Sequence, residues 1–339
     1  MNNFEHLPMD IQIERITELA YEALKQWDIS PESIELIKYR ENAVFKVLTQ
    51  DGNQFALRLH RPGYHDDAEL RSELQWISAL ENSGVDVPSV IPAANGQLLI
   101  NAEVSSVPQA RQADLFAWVN GDQLGSLEDG LEGDKAIVRE NFLKIGEIAA
   151  NLHNQACRWE MPDDFKRHSW DIEGLVGDHP FWGPFWELNS LTSEQQTLLI
   201  HAREQAKKDL LAFGKTAQNY SMIHADFVPE NLLVEGDVVR LIDFDDAGFG
   251  WHMFEIATAL YFIQHDPNFE TAQNALVEGY RRYRTLPDED LSQLNLFLAV
   301  RGFTYLGWVQ TRQETEIAQE MTPELIQMAC DAAKQYLQR

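Results

Sequence analysis

The chain has 339 residues, 44% of them hydrophobic and 10% aromatic, with 54 acidic residues against 27 basic ones and a formal net charge of −27. This hydrophobic content excludes a disordered chain, and the length favours two domains or lobes over a single core. The acidic balance argues against a nucleic acid partner, because a nucleic-acid-binding surface needs a basic face. The charge is compatible with a cationic or amino-bearing small ligand, and it is also explained by solubility alone.

The cysteines and the apolar runs indicate the compartment. Cys157 and Cys330 lie in no metal-binding or disulfide pattern, which is typical of thiols in a reducing environment. The first 27 residues carry acids throughout and lack the apolar core of a signal peptide. The longest strongly apolar run, residues 256–263, is too short to span a bilayer. We therefore expect a cytoplasmic protein with no membrane partner.

The N-terminal third combines helices with several strands. Apolar residues at helical spacing predict a helix over 10–27, and an acidic start with a stop at Gly84 predicts another over 65–84. Strands are predicted over 33–40, 42–49, 54–61, 85–93, 96–103 and 113–119. The sequence QDGN at 50–53 predicts a hairpin between the second and third of these strands.

Helices dominate after residue 130. They are predicted over 134–156, 192–214, 252–264, 268–284, 288–312 and 322–338, with short strands on either side of VEGDV at 234–238. The sequence therefore predicts an α+β protein. Its β-rich N-terminal lobe with a leading helix covers residues 1–118, and its helical C-terminal lobe covers residues 119–339.

One stretch of the helical lobe carries a chemical pattern. His224, Asp226 and Asn231 give H-x-D-x-x-x-x-N, and a predicted hairpin then delivers Asp243. Phosphoryl transfer requires positioned metal ions and a group that orients the attacking hydroxyl. Asp226 can accept the hydroxyl proton, while Asp243 and the amide oxygen of Asn231 can bind Mg²⁺. A metal-free acidic loop and a metallohydrolase cluster built from His224 and the aspartates are the alternatives.

The stretches IHADFVPENLLV and LIDFDDAG resemble the catalytic and metal-binding loops of the aminoglycoside phosphotransferase/choline kinase family. That family shares the two-lobed protein-kinase-like fold. The resemblance implies that Asp226 is the catalytic base, that Asn231 and Asp243 hold Mg²⁺, and that ATP is the phosphoryl donor. It also implies that His224 holds the loop and binds no metal. Asp245 could support the metal indirectly, and Asp246 could cap a turn.

The resemblance extends to the nucleotide-binding residues. In FALRLHRPGY, Arg58 occupies the position of the family's phosphate-binding lysine; a lysine there is expected to retain activity. In ELRSELQWISAL, Glu73 is the predicted partner of Arg58, and Glu69, one turn earlier, is the alternative. The alternatives are that Arg58 lies on a solvated edge strand and that Glu73 and Glu69 are ordinary solvated acids.

Two further segments resemble nucleotide-binding parts of the family. YRENAVFKV resembles its reduced phosphate loop, in which Asn42 and backbone amides replace glycines. LFAWVNGDQL resembles the hinge, where backbone groups near Trp118 and Val119 would bind adenine. A simple turn and a core strand are the respective alternatives.

The acceptor is expected to be a small hydroxyl-bearing molecule that contains an amine. Residues 157–190 are rich in aromatic side chains that could line its pocket, with Asp171 and Glu173 facing the amine; the alternative is that the rings pack onto the helices. No A-P-E segment of the kind that docks peptides follows Asp243. We predict an ATP:Mg-dependent phosphotransferase acting on an amino alcohol, hydroxy amino acid, aminoglycoside or sugar. A bacterial stress-response-type protein Ser/Thr kinase and a nucleotide-binding pseudokinase are the alternatives.

Overall fold

The structure, a computed structural model, describes residue 4 and residues 7–39, 42–126, 130–131 and 134–338. The chain divides into two compact units. The first comprises Met1–Asn120 with Met161–Lys166, and the second comprises Gly121–Glu160 with Arg167–Arg339. Among the described residues, no helix has both the length and the apolar character needed to cross a membrane.

The described part of the first unit combines two α-helices with a five-stranded antiparallel sheet. Its elements are α1 (Met9–Leu24), β1 (Pro31–Tyr39), β2 (Ala43–Thr49), β3 (Gln54–Leu59), α2 (Asp67–Asn82), β4 (Ile100–Ala102) and β5 (Arg111–Ala117). The strand order is β1-β2-β3-β5-β4. The predicted hairpin is confirmed, since β2 pairs with β3 and Gly52 supplies a positive φ of 85° in the turn.

The strand predicted over 85–93 is wrong. In this stretch only Val90 forms a bridge, to Phe116 of β5. Pro88 and Pro92 flank it and have no N–H to donate, so a continuous ladder cannot form.

The core of the first unit joins one face of α1 to one face of the sheet. Its fully buried members include Leu19, Ala20, Ala23, Leu24, Phe45, Val47, Leu57, Ala113 and Leu115. Side chains alternate along a strand, so Arg58, next to Leu57, and Asp114, between Ala113 and Leu115, point to the opposite face.

The second unit is mainly helical. Its elements are β6 (Asp122–Gln123), β7 (Gly125–Ser126), β8 (Gly130–Leu131), α3 (Lys135–Ala156), β9 (Ser169–Trp170), α4 (Ile172–Val176), α5 (Ser193–Phe213), β10 (Tyr220–Ile223), β11 (Leu232–Glu235), β12 (Val238–Leu241), β13 (Gly248–Trp251), α6 (His252–Tyr261), α7 (Phe269–Tyr283), α8 (Asp288–Leu291), α9 (Leu294–Gln310) and α10 (Glu316–Leu337). The helix predicted over 288–312 is thus two helices. Ser292 Oγ donates to the Glu289 carbonyl at 2.6 Å and competes with the helical ladder at the break.

The last helix starts earlier than predicted. Instead of residue 322, α10 begins at Glu316, where the Thr315 side chain caps it by accepting from the Ala318 amide at 3.3 Å. Pro323, typical of a first turn, lies inside this helix.

Candidate active site

Arg58 lies in a buried cluster of charges in the first unit. It is directly opposite Asp114 across the β3–β5 ladder. Arg58 Nε donates to Asp114 Oδ1 at 3.0 Å and Nη2 donates to Oδ2 at 2.7 Å, which is a bidentate pair. Arg58 Nη2 also donates to Glu73 Oε1 at 2.8 Å. Both carboxylates are completely buried, so this arginine is held by two acids.

The two candidate acids of α2 have different partners. Glu73 contacts Arg58 from the middle of the helix. Glu69 instead completes a capping box at the helix start, where its Oε2 accepts from the Asp66 amide at 3.0 Å. Glu69 also lies 3.7 Å from Lys166 Nζ. The geometry therefore favours Glu73 over Glu69 as the partner of Arg58.

Asp114 is a member of this cluster that was not predicted from the sequence. Besides Arg58, His60 contacts it, with Nε2 at 2.8 Å from Oδ2. Burial alone would raise the pKa of the Asp114 carboxyl, but Arg58 and His60 lower it to about 2. The available signal was an acid placed between apolar residues of a strand, and it becomes informative only once the register opposite Arg58 is known.

The other predicted nucleotide-binding residues lie at strand ends. Asn42 precedes β2, and its Oδ1 accepts from the Arg61 amide at 3.0 Å, which ties the start of β2 to the end of β3. Residues 40–41 of the predicted phosphate loop lie outside the described residues. Trp118 and Val119 follow β5, and the Trp118 amide donates to the Gln54 carbonyl at 3.2 Å. A hinge contact through the Trp118 backbone would therefore use its carbonyl oxygen.

The predicted catalytic loop of the second unit begins with a strained turn after β10. Ala225 has a φ of 65°, which is unfavourable for a residue with a Cβ. Glu255, completely buried in the first turn of α6, accepts from the His224 amide at 2.8 Å and the Ala225 amide at 2.7 Å. Burial raises the pKa of the Glu255 carboxyl. Glu255, which fixes the turn that presents Asp226, was not predicted from the sequence.

His224 links the loop that carries Asp226 to the segment that carries Asp243. Its Nδ1 accepts from the Asp226 amide at 3.1 Å, so the neutral ring carries its proton on Nε2, which donates to the Ile242 carbonyl at 3.1 Å. Burial lowers the pKa of this imidazole. His224 therefore holds the Asp226 loop to the residue preceding Asp243.

Both carboxylate oxygens of Asp226 are held. Asn231 Nδ2 donates to Oδ2 at 2.7 Å, and Arg301 Nη2 donates to Oδ1 at 2.9 Å. The Asp226 side chain is nevertheless 22% exposed. Arg301, a residue of α9, was also missed, because a contact across 75 positions leaves no local pattern in the sequence.

The β11–β12 hairpin brings Asn231 and Asp243 together. Asn231 precedes β11 and Asp243 follows β12 closely, and the Ile242 amide donates to the Asn231 carbonyl at 2.9 Å. Since Asn231 Nδ2 is turned to Asp226, its amide oxygen is the atom left for a cation. Asp243 has a φ of 66°, a strained conformation of the kind that clusters at ligand sites.

The Asp243 carboxylate and the Asn231 amide oxygen suit a Mg²⁺ ion that is also bound by a substrate, rather than a metal ion enclosed by protein ligands alone. The described residues contain no group of three or more His, Cys, Asp and Glu side chains that could hold a metal. Mg²⁺ typically uses one or two carboxylates and completes its shell with substrate phosphates and waters. One carboxylate and one amide oxygen match that pattern.

The residues after Asp243 are held through their main chain. Arg167 donates to the carbonyls of Asp245 and Ala247, and Trp170 Nε1 donates to the Asp246 carbonyl at 2.9 Å. The Ala247 amide donates to the Phe244 carbonyl at 3.0 Å and closes a turn there. These bonds fix the path of the chain leaving Asp243.

The aromatic rings of segment 157–190 pack on one another and on the helices α6 and α9. The rings of His168 and Phe181 stack at 3.8 Å, and Trp170 contacts both Trp182, at 5.1 Å, and Phe254 of α6, at 5.8 Å. This is the packing alternative that the sequence left open.

The two acids expected to face an amine have structural partners instead. Asp171 caps α4 and pairs with Lys215 at 2.8 Å. Glu173 Oε1 accepts from the His179 amide at 3.1 Å. Neither acid supports the predicted amine contact.

Comparison with known proteins places the chain in a family. The profile of the phosphotransferase enzyme family (APH) matches residues 34–290. A solved structure of the microcompartment-associated aminopropanol kinase is 31% identical, covers 95% of this chain and 98% of its own, and superposes with a TM-score of 0.83.

Two amicoumacin kinases are more distant. The one from Bacillus subtilis (strain 168) is 21% identical over 243 residues, which span 71% of this chain and 66% of that protein. A structure of an amicoumacin kinase in complex with AMP-PNP, Ca²⁺ and Ami is 17% identical, with a TM-score of 0.73, over 94% of this chain and 93% of its own. The chain belongs to the phosphotransferase enzyme family and has a kinase-like α+β fold.

Proposed function

We propose that this protein transfers the γ-phosphoryl group of ATP to a hydroxyl of a small amino alcohol. The observation that carries the proposal is the Asp226 carboxylate, held at both oxygens and still partly exposed, beside Asn231 and the Asp243 hairpin. The acceptor oxygen attacks the γ-phosphorus while the bond to the β–γ bridging oxygen breaks, and ADP leaves. Asp226 orients the attacking hydroxyl, receives its proton and returns it to solvent.

Asn231 and Asp243 are the residues proposed to hold Mg²⁺. When bound, the ion neutralises charge on the phosphates during transfer. The amicoumacin kinase complex with AMP-PNP and Ca²⁺ supports the use of a nucleotide and a divalent cation in this fold. Arg58, Glu73, Asn42, Trp118 and Val119 are proposed to contact the nucleotide or to position groups that do.

The acceptor class is inferred from similarity and from what the chain lacks. The aminopropanol kinase shares nearly the whole length of the chain. In sequence, only a short segment that includes β13 separates Asp243 from α6, with no A-P-E segment for docking a peptide. A small acceptor is therefore favoured over a protein acceptor.

An ADP-release assay with the purified chain tests the proposal. The panels are amino alcohols, hydroxy amino acids, aminoglycosides, neutral sugars and casein, each with and without Mg²⁺. We expect Mg²⁺-dependent ADP release with an amino alcohol above that with sugars or casein. Casein phosphorylation matching the best small molecule would favour a protein kinase, and tight ATP binding without transfer to any panel would favour a pseudokinase.

A further inference from the structure

Arg301 is a completely buried arginine in the apolar helix α9. Its neighbours along the helix, Val300 and Phe303 among them, are buried as well. Removing a guanidinium from water costs several kcal/mol unless it is well paired. The contacts of Arg301 must therefore offset the cost of burying its charge.

The hydrogen bonds of Arg301 converge on one nitrogen. Nη2 donates to Asp226 Oδ1 at 2.9 Å and to the Tyr305 hydroxyl at 2.6 Å. Within the part of the chain that the structure describes, Nε and Nη1 have no hydrogen-bond partner. Nη2 thus makes both hydrogen bonds of the side chain, one to Asp226 and a second to Tyr305.

Aromatic rings enclose the rest of the guanidinium. Its carbon lies 4.2 Å from the ring centre of Tyr305, 5.2 Å from that of Trp182 and 5.5 Å from that of Phe254. Aromatic faces attract the cation and restrict rotation of its plane. Burial acts to lower the pKa of Arg301, but Tyr305 and Asp226 outweigh it and the pKa is raised, so the group stays charged.

We propose that Arg301 is a positioning residue that fixes the catalytic carboxylate for phosphoryl transfer. It holds Asp226 Oδ1 while Asn231 holds Oδ2, and the two bonds together restrict rotation of the carboxylate about its Cβ–Cγ bond. Each carboxylate oxygen can accept more than one hydrogen bond, and the exposed edge stays available to the acceptor hydroxyl. The inference rests on the proposed function and adds to it the residue that keeps the attacking group in line.

The test compares three variants with wild type: Arg301→Met, Arg301→Lys and Tyr305→Phe. Arg301→Met removes the charge and the bond; we expect kcat to fall at least about 10-fold, with the KM values for ATP and acceptor nearly unchanged, because misplacement of a catalytic group lowers rate more than binding. Arg301→Lys keeps the charge and should recover part of kcat. Tyr305→Phe removes only the hydrogen bond between Arg301 and the Tyr305 hydroxyl, and should lower kcat less than Arg301→Met does.

A double-mutant cycle separates positioning from a general structural role. If Arg301 acts through Asp226, Arg301→Met should cost little further activity in an Asp226→Asn background. Arg312→Met is the matched control, since Arg312 is also buried and lies 5.0 Å from the Trp308 ring centre. Its kcat should stay within about 2-fold of wild type. Thermal unfolding and ADP affinity show whether each variant is folded; if Arg301→Met does not fold, Arg301→Lys and Tyr305→Phe decide.

Three results would overturn the inference. The first is wild-type kcat in folded Arg301→Met, or in both other variants. The second is a raised acceptor KM at unchanged kcat, which would make Arg301 a binding group. The third is a full multiplicative loss in the double mutant. A wild-type protein that transfers phosphate to no acceptor would instead contradict the proposed function itself.

Discussion

Arginine at position 58 differs from lysine in the number and direction of its bonds. Its guanidinium donates to Asp114 through Nε and Nη2, and Nη2 also donates to Glu73. A lysine ammonium is a point charge and cannot reproduce the bidentate pair. The geometry therefore leads us to expect that Arg58→Lys lowers activity, whereas the sequence alone led us to expect that it retains activity.

We expect Arg58→Lys to lower the free energy of unfolding by about 1–3 kcal/mol, because one buried carboxylate loses a hydrogen bond. Arg58→Ala removes the arginine that pairs with both buried carboxylates and should cost about 3–5 kcal/mol. Both variants should raise the ATP KM. Urea unfolding and steady-state kinetics measure these effects, with Arg282→Lys, an exposed ion-pair residue, as the control expected within about 0.5 kcal/mol. Wild-type stability and ATP KM in Arg58→Lys would contradict the assignment.

The low pKa of Asp114 predicts a pH dependence of stability. Its folded pKa of about 2 lies below the ordinary value of 3.8 for an aspartate, so its ionised form stabilises the fold above about pH 4 and this contribution is lost as the pH falls toward 2. The shift corresponds to about 2–3 kcal/mol. Urea unfolding from pH 5 to pH 2 should show that wild type loses more stability than Asp114→Asn. Parallel curves for the two proteins would show that Asp114 is not held as described.

The site residues that could be predicted share a local spacing. Asp226 and Asn231 stand five positions apart in one loop, and Asp243 follows through a hairpin that the turn residues indicate. Asp114, Glu255 and Arg301 depend on strand register or on helices far along the chain. No periodicity in a single sequence encodes such contacts.

At the scale of elements, the crossing of α3 and α7 depends on two glycines. A Cβ built on Gly146 would lie 2.0 Å from the Leu276 carbonyl oxygen, and one on Gly279 would lie 1.9 Å from the Leu143 carbonyl oxygen. Both contacts are with backbone, which cannot move aside as a side chain can. The two helices pack this closely because both positions lack a side chain.

Gly279→Ala should therefore destabilise the protein, although alanine is the better helix former by up to about 1 kcal/mol. Overpacking typically costs about 1–3 kcal/mol, so we expect a lower melting temperature in calorimetry. Glu278→Ala, exposed on the same helix, is the control and should change stability by no more than about 0.5 kcal/mol. An unchanged or higher melting temperature for Gly279→Ala would show that α3 and α7 can move apart to accommodate a methyl group without loss of stability.

Element prediction was wrong where a local rule outweighed the hydrophobic pattern. Apolar residues at 85–93 suggest a strand, yet Pro88 and Pro92 prevent the ladder. The apolar spacing of 288–312 continues through a break at Ser292, where a side-chain bond replaces a backbone one. Both signals are in the sequence, but only the structure shows which one prevails.

At the scale of the whole molecule, the charge of −27 does not decide nucleotide binding. Charges separated by more than about 8 Å are largely screened at physiological salt, so groups close to the phosphates would matter more than the net charge, and Arg58 is the group that we propose there. The composition predicted a packed acidic protein, whereas the family followed from two short loop motifs and is shown by the match over residues 34–290.

The central claim is that Asp226 orients and deprotonates the acceptor hydroxyl. The most direct test is kcat and nucleotide affinity of Asp226→Asn beside Asp237→Asn, the same chemical change at an exposed position of the β11–β12 turn. We predict that Asp226→Asn lowers kcat by about 10²-fold or more with nearly unchanged ADP affinity, and that Asp237→Asn behaves as wild type. Wild-type turnover by a folded Asp226→Asn protein would contradict the claim.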